Sequence, residues 1–142
     1  MRIQFLSAVI IRSSQATVLA EFYRRLGLEL VASTHAGPGS LHFECDLGDV
    51  HFALHQADTA SANSSSFKIA FAVKNLDDVL ATLRSRAGLA PSTIIDRGFA
   101  RSAALVDPDG NLVELTELSR PWLEYLAGRP SAQRDVVAWA LN

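Results

Sequence analysis

The chain has few of the features that mark secreted, membrane-spanning or nucleic-acid-binding proteins. Its single cysteine, Cys45, excludes an intrachain disulfide and fits a reducing compartment. No segment approaches the roughly 20 apolar residues that a membrane-spanning helix requires, and the chain does not start with the charged and apolar segments of a signal peptide. The formal net charge of −2 gives no reason to expect nucleic acid or an anionic membrane as a partner. These absences predict a cytoplasmic globular protein.

The sequence does contain an internal repeat. When the two halves are aligned, Val-Leu-Ala at 18–20 falls on the same tripeptide at 79–81. Arg25, Gly27 and Leu28 then fall on Arg86, Gly88 and Leu89. Each copy opens with an apolar run rich in β-branched and aromatic residues, which is typical of a strand, and then becomes helical. The 142 residues therefore hold two copies of one small unit.

The second copy shows the helical pattern most clearly, in an apolar stripe with the three-four spacing of a half-buried helix. The residues of this stripe are Leu76, Val79, Leu80 and Leu83. Asn75 stands at the expected N-cap position, and Asp77 and Asp78 follow in the first turn, where the helix dipole favours acids. Gly27 and Gly88 are predicted to end the two helices as C′ glycines.

Three strand-like segments follow each helix. In the first half they are 28–33, 41–45 and 50–55, and in the second half 92–96, 101–106 and 111–115. The last turn, 107–110, has the sequence DPDG, in which proline is pre-set for the first corner and glycine is free to adopt a positive φ. The order in each half is therefore strand, helix and three strands.

These segments predict an α+β protein with two tandem βαβββ units, at 1–56 and 67–118, joined by a small polar linker at 57–66. A helical tail follows at 119–142. In this tail Pro121 is expected to open a helix, Gly128 to end it and Ser131 to cap a second helix. The aromatic residues of the tail suit packing on a sheet, a dimer interface or a lid over a binding site.

The repeat, the FY pair of the first helix followed by LG, and the stretch DPDGNLVEL at 107–115 resemble the vicinal-oxygen-chelate superfamily. Glyoxalase I, extradiol dioxygenases, fosfomycin-resistance enzymes and bleomycin-resistance proteins are members. The resemblance covers roughly residues 1–118. It implies that the sheets of the two units curl into a mixed-sheet cup that holds a ligand, and that the protein is a homodimer. One fold hosts many chemistries, so the resemblance implies less about activity than about fold.

Metal-using members of the superfamily take a His or Gln from the first strand of a unit and a Glu from its last strand. Coordination positions then stay open for substrate oxygens. In the second unit the last-strand position is Glu114, but the first-strand position is Lys68, whose ammonium has no lone pair to donate. In the first unit the corresponding positions are Ala8 (or Ser7) and Ala53. The resemblance therefore implies that most of the usual metal site is absent.

Lys68 and Glu114 fall on strands that are neighbours in this fold. We expect the ammonium to occupy the space of a metal ion and to neutralise the carboxylate, because a buried carboxylate without a partner is unfavourable. The alternative is that one or both side chains lie at the rim of the cup in water, where an ion pair contributes little.

The histidines keep a second alternative open. Strand alternation places His51, Ala53 and His55 on one face, with the parity that points Glu114 into the cup. The two histidines are about 13 Å apart, at roughly 3.3 Å per residue, so they cannot both bind one ion. One of them could contact a ligand, act as a neutral base or complete a displaced metal site with Glu114.

Three further polar residues are candidates for the lining of the cup. Arg101 begins a strand and could clamp an acidic ligand through bidentate hydrogen bonds, or could simply lie in water. His42 and Glu44 share one strand face and are expected to line the cup or an interface.

The candidates for ligand binding are therefore His51, His55, Lys68, Arg101 and Glu114. The sequence favours a metal-free protein without a cofactor that binds a small organic molecule in an apolar cup. The alternative is a lyase, isomerase or dioxygenase that uses one divalent metal ion held by Glu114 and His51. Whether the protein catalyses a reaction stays open at this point.

Overall fold

The structure, a computed structural model, describes residues 6–34, 41–128 and 134–142, the side chains of 134–137 excepted. The first half contains β1 (Ala8–Ser13), α1 (Ala16–Leu26), β2 (Val31–Ser33), β3 (His42–Leu47) and β4 (Val50–Gln56). The second half contains β5 (Lys68–Ala72), α2 (Leu76–Ser85), β6 (Ile95–Asp96), β7 (Ala100–Val106) and β8 (Leu112–Leu118), followed by α3 (Arg120–Ala127) and α4 (Arg134–Leu141). The predicted α+β class with two βαβββ units and a helical tail is confirmed.

One compact unit comprises Met1–Phe67 together with the turn Asp107–Asn111. Its mixed sheet has the strand order β1-β4-β3-β2, in which β1 and β4 are parallel and the other pairs antiparallel. One face of this sheet packs on α1, where the buried ring of Tyr23 lies 5.5 Å from that of Phe52. The other face carries the histidines.

The second compact unit comprises Lys68–Val106 and Leu112–Asn142. Its mixed sheet, of order β5-β8-β7-β6, repeats the arrangement of the first, with β5 and β8 parallel. The helix α2 packs on one face and buries its apolar stripe against the strands. The buried residues are Leu76, Leu80, Leu83, Val113 and Leu115. The opposite face carries Lys68 and Glu114 and is not covered by α2; we call it the open face of this sheet.

The helix ends agree in part with the glycine pattern. Gly27 ends α1 with a φ of 112°, and its N–H donates to the Arg24 carbonyl at 2.9 Å. Gly88 also has a positive φ, of 62°, but α2 has already ended at Ser85. Gly88 therefore closes the turn that follows the helix instead of the helix itself.

The start of α2 differs from the prediction. Asn75 occupies the N-cap position in the left-handed region, with a φ of 52°, and its side chain makes no capping hydrogen bond. The carboxylate of Glu117, on the adjacent strand β8, accepts instead from the Leu76 N–H at 2.8 Å. A charged acceptor at a helix N-terminus is favoured by the helix dipole. Sequence spacing within the helix could not reveal this contact, because it comes from a distant segment.

The predicted DPDG turn is present, and Asp107 organises it. Its Oδ1 accepts from the backbone N–H groups of Asp109 and Asn111, both at 2.9 Å, and Gly110 has a φ of 85°. Its Oδ2 accepts from the Tyr23 hydroxyl at 3.1 Å in a buried position. Burial, followed by the nearby Asp107 charge, raises the pKa of Tyr23. The phenol is therefore a permanent donor to this turn.

The tail begins as predicted. Pro121 lies in the first turn of α3, and Ser119 caps this helix by accepting from the Trp122 N–H at 3.3 Å. The helix ends at Ala127, directly before Gly128. Ser131, the predicted cap of the next helix, lies outside the described residues. Within the described ranges, no helix is long and apolar enough to cross a membrane.

Candidate functional site

The open face of the second sheet carries the predicted Lys68–Glu114 pair. Ala70 on β5 is in register with Glu114 on the adjacent parallel strand β8, so these two residues lie on the same face of the sheet. Lys68 is two residues before Ala70 on β5, and strand alternation therefore places Lys68 on that face as well. The Lys68 Nζ lies 2.7 Å from Glu114 Oε2, and the Thr116 hydroxyl donates to Glu114 Oε1 at 3.3 Å. This confirms the ion pair. The Glu114 side chain is 16% exposed and that of Lys68 49%, so the pair joins a nearly buried acid to a half-exposed base.

The charge of Glu114 is fixed by these neighbours. The hydrogen bond from Lys68 is the largest influence and holds the pKa of Glu114 below its ordinary value, against the opposing effect of burial. The charges of Lys68 and Arg97 and the Thr116 hydroxyl act in the same direction as that hydrogen bond. Glu114 is therefore a carboxylate at neutral pH, and its charge is already compensated by protein groups.

A cavity of about 270 Å³ lies over this pair. Its lining consists of five polar residues and two apolar ones. The lining residues are Lys68, Arg97, Ser102, Glu114 and Thr116, with Phe99 and Ala100. The lining therefore offers a small molecule charged donors, a carboxylate acceptor and an aromatic ring.

Arg97 is a cavity residue that sequence reasoning missed. It follows β6 and enters the tight turn that Gly98 makes with a φ of 80°, and one guanidinium N–H donates to the Ser102 hydroxyl at 2.9 Å. A guanidinium has five N–H donors, so others are available to an anion. The strand β6 is only two residues long, which gave too little pattern to predict the face on which Arg97 lies.

The structure does not bring Arg101 to this cavity. Strand alternation along β7 places it on the face that carries α2, where its guanidinium lies 2.8 Å from Asp77 and 3.6 Å from Glu117. The hydrogen bond to Asp77 raises the pKa of Arg101. The arginine that lines the cavity together with Glu114 is Arg97. Arg101 instead links β7 to the first turn of α2 through its ion pair with Asp77.

The first sheet carries a separate network of histidines and carboxylates on the face opposite α1. The Nε2 atoms of His42 and His51 lie 2.9 and 3.3 Å from the same atom, Glu44 Oε2. The Nδ1 of His51 lies 3.0 Å from Asp46 Oδ1. The pairing of β3 with β4 produces this arrangement, because it sets Asp46 opposite His51 and Glu44 opposite Ala53. The shared face predicted for these side chains is confirmed.

His55 lies at the other end of this network. Its ring stacks on that of His42, with the ring centroids 4.6 Å apart and the planes 15° from parallel. Burial lowers the pKa of His55, and the nearby His42 and Arg12 add to the effect. His55 is therefore a neutral imidazole at pH 7, which can both donate and accept a hydrogen bond. Ligand binding by His51 or His55 stays a prediction.

The usual divalent metal of the superfamily does not fit the residues at the implied positions. The alanines at 8 and 53 have no donor atoms, and Lys68 places an ammonium where a ligand is needed. Glu114, the remaining position, is engaged by that ammonium. Among the residues that the structure describes, no group of three or more His, Cys, Asp or Glu side chains is arranged to hold a metal ion.

Comparisons with known proteins agree with the fold. Residues 6–115 match the family model described as Glyoxalase/Bleomycin resistance protein/Dioxygenase superfamily. No curated protein sequence matches the chain.

Solved structures give further matches. An antibiotic-binding protein from Streptomyces sp. CB03234 is 22% identical, with a TM-score of 0.65 over 84% of this chain and 99% of that one. A virulence protein from Salmonella typhimurium is 21% identical, with a TM-score of 0.63 over 84% and 100%. A glyoxylase/bleomycin resistance protein/dioxygenase domain from Frankia sp. EAN1pec is 16% identical, with a TM-score of 0.60 over 83% and 100%. At these identities the similarity shows a shared fold.

Proposed function

The chain belongs to the glyoxalase/bleomycin resistance protein/dioxygenase superfamily, and from that premise we propose that it is a metal-free member that binds a small organic molecule. The binding site is the cavity on the open face of the second sheet. The observation that carries the proposal is the Lys68–Glu114 ion pair at 2.7 Å. The resemblance implies a metal ligand at position 68, and the ammonium there has no lone pair to donate.

The composition of the cavity supports binding of an organic molecule. Ligand sites combine apolar surface with a few polar groups that fix the orientation of the ligand. Here the guanidinium of Arg97 and the hydroxyls of Ser102 and Thr116 supply polar contacts, and Phe99, 48% exposed, supplies apolar surface. The antibiotic-binding protein of the same fold is a precedent for this role in the superfamily.

The first test is a thermal melt of protein stripped with chelator, with and without added manganese, nickel, zinc or iron(II). A ligand at one hundred times its dissociation constant adds about 2.7 kcal/mol of stability, a rise in Tm of about 5–10 °C for a chain of this size. We expect no rise with any of these ions.

A rise with one ion that disappears in Glu114→Ala would contradict the proposal. It would establish instead the alternative, a lyase, isomerase or dioxygenase in which Glu114 and a histidine such as His51 hold a divalent metal ion. Glu114→Ala without added ions serves as the control for the stability of the variant itself.

The second test locates the binding site. A panel of small organic acids and alcohols is screened by the same melt, and compounds that raise the Tm are titrated by calorimetry. Arg97→Met, which removes a cavity cation, should weaken the binding of acids, and Arg86→Met, an exposed arginine outside the cavity, should leave it unchanged. Equal binding to both variants would place the site elsewhere.

The proposal includes a homodimer without nucleic-acid or membrane partners, in the cytoplasm. Sedimentation equilibrium at several concentrations tests the dimer, and fractionation of cells that express the protein tests its location. A monomer at all concentrations would remove the dimer from the proposal without affecting the binding site.

A further inference from the structure

Three aromatic side chains of the second unit form a continuous row that starts in the cavity. Phe99 lines the cavity. Its ring centroid lies 5.6 Å from that of Trp122, and Trp122 stacks on Tyr125 with centroids 5.0 Å apart and planes 30° from parallel. We call these three residues the aromatic row.

The backbone holds the aromatic row in place. The N–H of Ser119 donates to the Phe99 carbonyl at 2.9 Å, which fixes the start of α3 against the turn between β6 and β7. The Ser119 side chain then caps α3, and Trp122 and Tyr125 follow three residues apart on one side of the helix. The row is therefore built into the fold, and ligand binding need not assemble it.

The aromatic row leaves large apolar rings in contact with water. Phe99 is 48% exposed and Tyr125 is 55% exposed. Neighbouring exposed aromatic rings typically mark a surface that contacts another molecule. Flat rings give extended contact area at little cost in conformational entropy, and their faces and edges favour other aromatic rings.

The charge of the cavity complements this surface. Lys68 and Glu114 compensate each other, which leaves the guanidinium of Arg97 as the excess positive charge in the lining. No carboxylate of the described residues lies within ion-pair distance of Arg97. An acidic group of a ligand can therefore pair with Arg97 while the rest of the ligand extends towards Phe99.

We propose that the ligand of this cavity is a planar aromatic acid whose ring extends along the aromatic row, with Trp122 of the C-terminal helix α3 as a specificity-determining residue. This inference rests on the proposed function, because it names the ligand class of the same site. It assigns a role to the tail, which lies outside the part of the chain that matches the family model.

The test compares two acids of the same charge and similar size by titration calorimetry. One is 2-naphthoate, which is planar, and the other is decahydro-2-naphthoate, its saturated and puckered counterpart. Because aromatic stacking adds to the effect of buried area, we expect 2-naphthoate to bind about three- to ten-fold more tightly. Equal affinities would refute the role of the aromatic row and leave the proposed function standing.

Variants then assign the preference to Trp122. Trp122→Leu keeps apolar bulk without a flat ring and should remove the preference for 2-naphthoate, and Trp122→Phe should retain most of it. Trp139→Leu is the matched control, because Trp139 lines a different cavity of the same unit. Circular dichroism and thermal melts confirm that each variant is folded before its titration.

Fluorescence, sedimentation and the thermal melts with metal ions distinguish the remaining outcomes. In Trp139→Phe protein, Trp122 is the single tryptophan, and 2-naphthoate should quench its fluorescence. Binding without quenching would place the acid away from the aromatic row and overturn the inference. A Trp122→Leu protein with altered sedimentation and unchanged affinity would assign the row to a subunit interface instead. If neither acid binds, the inference that the ligand is an aromatic acid is overturned. Whether the site is metal-free is decided separately, by the thermal melts with added metal ions.

Discussion

Replacing Lys68 with Met is the sharpest test of the ion pair on the second sheet, because it removes the ammonium 2.7 Å from Glu114 and keeps the apolar stem. A surface ion pair contributes about 1 kcal/mol or less, and breaking a buried pair costs about 3–5 kcal/mol. With Glu114 16% exposed and Lys68 49% exposed, the pair lies between these limits. We expect Lys68→Met to lower the free energy of unfolding by about 1–2 kcal/mol at neutral pH, or about 3–8 °C in Tm.

The effect of Lys68→Met depends on pH with a defined sign. The pKa of Glu114 in the folded protein lies below its ordinary value of 4.5, chiefly because of the hydrogen bond from Lys68. A lowered pKa contributes stability that is fully present above the ordinary value and is lost as the pH falls through the folded-state value. The difference between Lys68→Met and the wild type should therefore be complete at neutral pH and shrink below pH 4.5.

Urea denaturation, monitored by circular dichroism at neutral pH and in acid, measures the loss of stability in Lys68→Met and its dependence on pH. Glu114→Gln and the double variant complete a double-mutant cycle, which separates the pair from the other contacts of each residue. A coupling energy near zero, or a Lys68→Met protein as stable as the wild type at neutral pH, would refute the view that this lysine compensates a nearly buried acid.

Three further substitutions test contacts described above, each by the free energy of unfolding. Tyr23→Phe deletes a buried hydrogen bond to Asp107. Because the acceptor is a carboxylate, the substitution should lower the free energy of unfolding by about 1.5–3 kcal/mol. A loss smaller than half the lower limit of this range would argue against the hydrogen bond. Glu117→Gln removes the charge that caps α2 at the Leu76 N–H and should cost about 0.5–1 kcal/mol, with salt reducing the difference. Asn75→Gly should be at least as stable as the wild type and Asn75→Ala about 1 kcal/mol less stable, because the residue has a φ of 52°; the reverse order would be inconsistent with that backbone.

The sequence predicted those parts of the site that depend on periodicity. The Lys68–Glu114 contact follows from strand parity together with the adjacency of β5 and β8 in this fold. The shared face of His51 and His55 follows from alternation alone. Both predictions concern side chains on regular strands of five residues or more. On strands of this length the alternation of apolar and polar residues determines which side chains share a face of the sheet.

The missed contacts depend on features that local patterns do not encode. Arg97 reaches the cavity through a tight turn after a two-residue strand. Arg101 was a candidate for contact with an acidic ligand, but it lies on the α2 face of β7, where it pairs with Asp77 and Glu117. Glu117 and Leu76 are 41 positions apart, and Tyr23 and Asp107 are 84 apart. Such pairs come together only through tertiary structure, and a single sequence carries no signal that links them.

The turn Asp107–Asn111 has a consequence for how the protein folds during synthesis. The first unit is discontinuous in the chain, because this turn belongs to it together with Met1–Phe67. On a ribosome that adds about 5–20 residues per second, the acceptor for the Tyr23 hydroxyl follows the rest of that unit by roughly 2–8 s. Until then the hydrogen bond from the buried phenol to the Asp107 carboxylate cannot form, so the nascent first half is an incomplete intermediate. A fragment that ends at the linker should therefore fold poorly by itself, although the repeat gives the appearance of two separable modules.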